Sequence, residues 1–253
     1  MLKILFFLFV VNFNFQIENF HAASRKITKF EIKNWPRKKW NGHFSAENFS
    51  NSTSRKKLGE IKKILDATIF DLPGAHTSAL KNLKIRNEKN ISRGMASGRT
   101  IVLNTASIES KKELIAVFVH EIGHVVDLGM LREIEKKQKS EFFDGAIPIW
   151  ETDPSLEFYR ISWKNSDTRK NARRADFVSG YAMTDPFEDF AESYIFFRLH
   201  GEKFRAFKKF SPKLAQKYNF LKTKIFAGRE FQLEKTTKNF PKNIIWDVTQ
   251  INF

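Results

Sequence analysis

The sequence predicts an α+β domain: a small sheet, then a strongly apolar helix, then a later helix that carries glutamates. Three observations lead to that expectation. GRTIVLN, residues 98–104, reads as a strand bounded by a glycine and a Thr-Ala-Ser turn. Ser110, followed three residues later by Glu113, marks a helix start, and Leu114, Ile115, Phe118, Val119 and Ile122 recur behind it at helical spacing. Asp185-Pro186 offers an N-cap and a first-turn proline to the segment FEDFAESYIFFRL.

The remaining elements follow in chain order. Met1-Leu2-Lys3 and the run ILFFLFVVNF form a short basic start and an apolar stretch too short to cross a bilayer. This reads as a signal peptide over residues 1–23, cut after Ala23, with an uncleaved anchor as the alternative, and it implies a secreted or periplasmic protein. No later run reaches the length of a transmembrane span, so the mature chain is expected to have none. Residues 24–53, polar around Trp35, Trp40 and Phe44, are expected to be a leader or arm, leaving 54–253 as the main domain. Residues 54–70 form a helix with Leu58, Ile61, Ile64 and Leu65 on one stripe, and 80–86 a strand. The apolar helix ends near Gly129. A long charged connection over 130–180 holds a short helix near 154–163. Ser211-Pro212 opens another helix to about Phe226, and the alternation in IIWDVTQINF suggests a terminal strand.

Composition narrows the chemistry. At 253 residues, 42% hydrophobic, the chain has material for one domain with a true core. It has no cysteine, so disulfides, thiolate nucleophiles and Cys-ligated zinc are excluded, and any metal must sit on His, Asp or Glu. The formal charge of +16 would attract an anionic surface or polymer. Basic runs such as 55–57, 136–139 and 169–174 are scattered, with no recognition helix or aromatic RNA-binding motif among them, so nucleic acid is not the expected partner.

The apolar helix contains His120-Glu121-Ile122-Gly123-His124. A helix stacks residues four apart, so both imidazoles can reach one zinc ion while Glu121 faces the water beside it. The flanks Phe118, Val119, Val125 and Val126 are apolar, which implies burial. Burying His120, Glu121, His124 and Asp127 without partners would cost several kcal/mol, and a cation removes that penalty. The extended pattern HExxHxxGxxH is absent: Asp127 stands at the glycine position and Met130 at the last histidine. The third ligand is sought in YAMTDPFEDFAES, residues 181–193, where Glu188 and Glu192 lie one turn apart on an apolar helix. Glu188 could instead complete a capping box with Asp185, which would leave Glu192 as the ligand. Glu192 or Asp127 is suited to accept the second N–H of a ligating histidine, and for Asp127 the equal alternative is a plain polar residue at the helix end.

HEIGHVVD, Tyr181 and the run Glu188-Asp189-Phe190-Ala191-Glu192 resemble the zinc metallopeptidase domain of anthrax lethal factor and the secreted Pro-Pro endopeptidases, within the gluzincins. The likeness covers roughly residues 98–200. It implies a zincin-like fold in which His120, His124 and Glu188 bind one Zn²⁺, Glu121 is the general base, Tyr181 donates to the oxyanion and Glu192 supports a ligand from behind. By the same analogy GRTIVLN is expected to be the sheet edge that receives an extended substrate, with an ordinary core strand over Ile101 to Leu103 as the equal alternative. Two departures stand out: the connection between the two helices is longer here, and Asp189 replaces an apolar residue after the ligand.

The sequence thus points to an exported zinc-dependent endopeptidase acting on protein or peptide substrates. The alternative is a basic envelope- or polyanion-binding protein with a structural or vestigial zinc site.

Overall fold

The computed structural model describes residues 40–88, 92–132, 138–231 and 245–251. The expected signal segment and most of the expected arm lie outside the described residues, as do Lys136 and Lys137. Strand β1 (His43–Ala46) is followed by helices α1 (Ser52–Phe70) and α2 (Gly74–Ala79), then β2 (Asn82–Arg86), β3 (Gly94–Ser97) and β4 (Thr100–Asn104). Helix α3 (Lys111–Val125) follows, carrying both histidines of the motif. Next come the hairpin β5 (Lys139–Asp144) and β6 (Ile147–Trp150), helix α4 (Ser155–Ser162), and the short pair β7 (Trp163–Lys164) and β8 (Asp167–Thr168). Helices α5 (Pro186–Leu199), α6 (Gly201–Phe207) and α7 (Pro212–Phe220) complete the mixed α+β fold.

The main sheet has the order β1-β2-β4-β3, with β1, β2 and β4 parallel and β3 antiparallel to β4. Alternation along β2 and β4 turns Leu83, Ile85, Ile101 and Leu103 into the core. Helix α3 packs along β3 and β4 and against α1, and α5 packs on α3. Both α3 and α5 are buried over most of their length, which explains why their sequences are apolar nearly all round. Much of the chain's phenylalanine lies in the layer behind α5, where Phe197 stacks on Phe226 at 4.9 Å and meets Tyr218 at 5.0 Å.

The expected starts of the long helices hold, for the expected reasons. Ser110 accepts from the Glu113 N–H at 3.1 Å, Asp185 from those of Phe187 and Glu188 at 2.8 Å each, and Ser211 from that of Leu214 at 3.1 Å. Helix α3 ends in a wider π-helical turn, Val126–Met130, consistent with the stop expected near Gly129.

Three expectations are corrected. GRTIVLN is not the sheet edge: β4 lies between β2 and β3, and Ile101 and Leu103 are core residues. The stretch expected to be an arm contributes β1, held beside β2, while the Trp40 indole donates to the Leu80 carbonyl at 2.9 Å. The terminal segment forms a 3-10 turn at Val248–Gln250 rather than a strand, because its backbone bonds go to Gly180, Tyr181 and Glu192 and not to a neighbouring strand. Among the described residues no helix is long and apolar enough to cross a membrane.

Two histidines sit in the core without a role in the motif. His76 bonds the Tyr194 hydroxyl at 2.8 Å and the Ile225 carbonyl at 3.0 Å. Burial pushes His76 down to about 4, and His200 to about 3. Both are neutral when folded, whereas in the unfolded chain each gains a proton near pH 6.5. The stability they contribute is whole above that pH and is lost as the pH falls towards the folded values. Urea unfolding of a His200→Gln variant should therefore show a pH slope about 1.4 kcal/mol per unit shallower than wild type between pH 6 and 4.5. Equal slopes would mean that His200 is not held neutral.

Candidate metal centre

The site exists because α3 and α5 touch. Gly123, inside the histidine motif, faces Ala191 so closely that an added Cβ would lie 2.9 Å from the Ala191 Cα and 3.2 Å from the Tyr194 Cβ. Backbone-to-backbone approach at this point brings the first turn of α5 beside the histidines. His120 and His124, one turn apart, present their rings edge to face with centroids 5.0 Å apart. Glu188 Oε2 lies 3.1 Å from His120 Nε2 and 3.3 Å from His124 Nε2. The three candidate ligand atoms fall within 4.8 Å of one another.

That oxygen tests whether a metal fits. Glu188 Oε2 is buried and accepts no hydrogen bond, although two imidazole nitrogens stand beside it. The nitrogens are near but do not point their protons at it. Two ligand atoms at about 2.0–2.1 Å from one tetrahedral zinc are separated by about 3.3 Å, so the observed spacings match a pair of coordination edges. The nitrogen–oxygen donor set is the one expected where cysteine is absent. Burial would depress His120, but the carboxylates of Glu188 beside it and Glu192 behind it outweigh burial and hold it well above its ordinary value. Burial likewise opposes ionisation of Glu188, yet the adjacent histidines keep its carboxyl well below the usual range. The centre is built to concentrate negative charge against two nitrogens.

The supporting residues sort themselves by geometry. Glu192 is fully committed behind His120: Oε1 lies 3.0 Å from Nδ1, and Oε2 accepts from the Ser179 hydroxyl at 2.5 Å and the Val248 N–H at 2.9 Å. An acceptor on Nδ1 fixes the tautomer that leaves Nε2 free for a metal. Glu188 therefore faces both histidines and Glu192 stands behind His120. The capping alternative for Glu188 fails, since Asp185 caps α5 while the Glu188 side chain turns to the site. Asp127 bonds away from the histidines, as a polar residue at a helix end: both its oxygens accept from the Tyr159 hydroxyl, at 2.6 and 2.7 Å, and burial raises its carboxyl well above the ordinary range. It joins α3 to α4.

Glu121 is buried on the side of α3 that meets β3. Gly94 explains how it fits, for a Cβ there would lie 2.4 Å from Glu121 Oε1 and 2.8 Å from a Val117 methyl carbon. Burial raises the Glu121 carboxyl, against the opposing charges of His120 and His124. That shift moves a carboxylate towards the range useful to a base. Tyr181 occupies a 3-10 turn, Tyr181–Met183, just before α5, and its hydroxyl donates to Glu188 Oε1 at 3.1 Å. Burial, then the charge of Glu188, raises its pKa, so it stays a donor. Asp189 does not reach the site: it is paired in the core with Lys217 at 2.6 Å and accepts from the Trp163 indole at 2.9 Å.

Sequence reasoning missed Ser179, Gly94 and the segment 245–251. An isolated glycine in a short polar stretch was the one available signal for Gly94, and nothing marked the Val248 N–H as a partner of Glu192. Comparison with protein-family models, with curated proteins and with solved structures found no match.

The contact at Gly123 yields a direct test. Gly123→Ala should push α3 from α5, lowering stability by about 1–3 kcal/mol and zinc affinity at least tenfold by chelator competition. Gly59→Ala, on the exposed face of α1 with nothing within 4 Å, should instead be neutral or stabilising. Wild-type zinc affinity in Gly123→Ala would show that the helix contact does not hold the site.

Proposed function

We propose that this chain is an exported zinc-dependent endopeptidase of zincin-like architecture. The observation that carries the reading is the buried Glu188 oxygen, unpaired and equidistant to within 0.2 Å from two imidazole nitrogens of a His-Glu-x-x-His helix. His120, His124 and Glu188 would hold the ion, leaving one tetrahedral position open, which is the arrangement of catalytic and not structural zinc. Bound there, zinc supplies Lewis-acid polarisation of a carbonyl and lowers the pKa of water.

The chain's own residues supply the rest. Glu121 takes a proton from the attacking water as the new C–O bond forms, and returns it to the amine nitrogen as the C–N bond breaks. Its burial against Gly94 and Val117 favours proton uptake. The Tyr181 hydroxyl, now resting on Glu188, is placed to donate to the negative oxygen of the tetrahedral species. Glu192 holds His120 in the required tautomer. A peptide can add to the outer edge of β3, which among the described residues pairs with β4 alone and lies beside Glu121. Strand addition there would present the substrate backbone to Glu121 without demanding a fixed sequence. This edge takes the place expected for GRTIVLN.

The N-terminal basic and apolar segment supports export. The net charge of +16 suits a protein working near anionic surfaces, and that property accompanies the peptidase reading without replacing it.

Glu121→Ala should retain one zinc per chain and lose about 10²–10⁴ in kcat on a peptide library. Tyr181→Phe should keep KM and lose roughly 10²-fold in kcat. A Glu121→Ala protein as active as wild type would refute the mechanism, whatever its metal content.

A further inference from the structure

Trp246 is 60% exposed although its backbone and ring edge are firmly held. Its carbonyl accepts from the Tyr181 N–H at 2.6 Å, and that of Ile245 accepts from the Gly180 N–H at 2.9 Å. The indole edge covers Gly180, where an added Cβ would lie 2.6 Å from Trp246 Cε3. The ring centroid stands 6.3 Å from that of Tyr181. The next two residues are tied to the same region: Asp247 pairs with Arg93, the neighbour of Gly94, and the Val248 N–H donates to Glu192. An exposed indole is thus fixed in register with the tyrosine whose hydroxyl touches Glu188. Met183, 36% exposed on the same turn as Tyr181, adds further apolar surface.

An aromatic ring rigidly held and largely in water at the rim of a site offers area at little cost in conformational entropy. We infer that Trp246 is a specificity-determining residue, its indole taking a large aliphatic or aromatic side chain of the substrate beside the bond that is cleaved. This rests on the peptidase reading above. The competing occupant is a lysine or arginine on the ring face. The net charge of +16 repels cationic peptides, so the apolar side chain is favoured.

The test is cleavage profiling of zinc-loaded wild type, Trp246→Ala, Trp246→Phe and Glu121→Ala on peptides varied on both sides of the scissile bond, with zinc content and melting measured alongside. Wild type should prefer a large apolar side chain at one adjacent position. In Trp246→Ala the ratio of kcat/KM for such peptides over their alanine counterparts should fall about tenfold, mainly through KM. Trp246→Phe should restore most of it. Should the alanine variant fail to fold, Trp246→Leu should shift preference from aromatic to smaller aliphatic side chains. An unchanged profile, an equal loss on all peptides, or loss of a preference for Lys or Arg would overturn the inference while leaving the peptidase reading standing. A wild type inert on every peptide overturns both.

Discussion

The closeness of two helices at Gly123 and Ala191 is the constraint on which the rest depends. Without a side chain on Gly123, α3 and α5 meet backbone to backbone, and only then does the first turn of α5 bring a carboxylate to both imidazoles of α3. The histidines alone would be a pair of buried polar groups. Placed against Glu188, they become a three-cornered cluster of potential ligand atoms, with a buried unpaired oxygen, that could hold a cation.

A second layer keeps that nest in shape. Glu192 receives His120, Ser179 and the Val248 N–H at once, so one carboxylate ties α3, the turn before α5 and the C-terminal segment together. One residue beyond Glu188, Asp189 points the other way into an ion pair with Lys217, which fixes α7 to α5. A buried pair of this kind adds little net stability, but removing one partner strands a charge in the core. Adjacent residues of α5 thus serve the site and the core, and neither can shift without the other.

The parts of the fold legible in the sequence were those governed by local chemistry. Ser110, Asp185 and Ser211 announced helix starts through their own side chains, and each does cap a helix. The helical spacing of His120 and His124 placed them together, and the apolar surroundings of Glu188 and Glu192 marked both as buried carboxylates in need of partners. What could not be read depends on distant pairing. The order of strands in the sheet is set by long-range register, so among the described residues the edges fell to β1 and β3 and not to the more strand-like β4. The hairpin β5–β6 was hidden in a charged connection because only Ser140 and Phe142 of β5 and Ile149 of β6 are buried. The role of residues 245–251 was invisible because their hydrogen bonds go to Gly180, Tyr181 and Glu192, far away in sequence. Asp127 looked like a helper for a ligand, whereas a tyrosine from α4 claims it.

The most direct test of the central claim is X-ray absorption at the zinc edge on purified, zinc-loaded protein. The account predicts a nitrogen and oxygen shell at about 2.0–2.1 Å with the scattering signature of two imidazoles, reduced to one in His124→Ala. A protein that retains no zinc, or a zinc shell without imidazole, would contradict it.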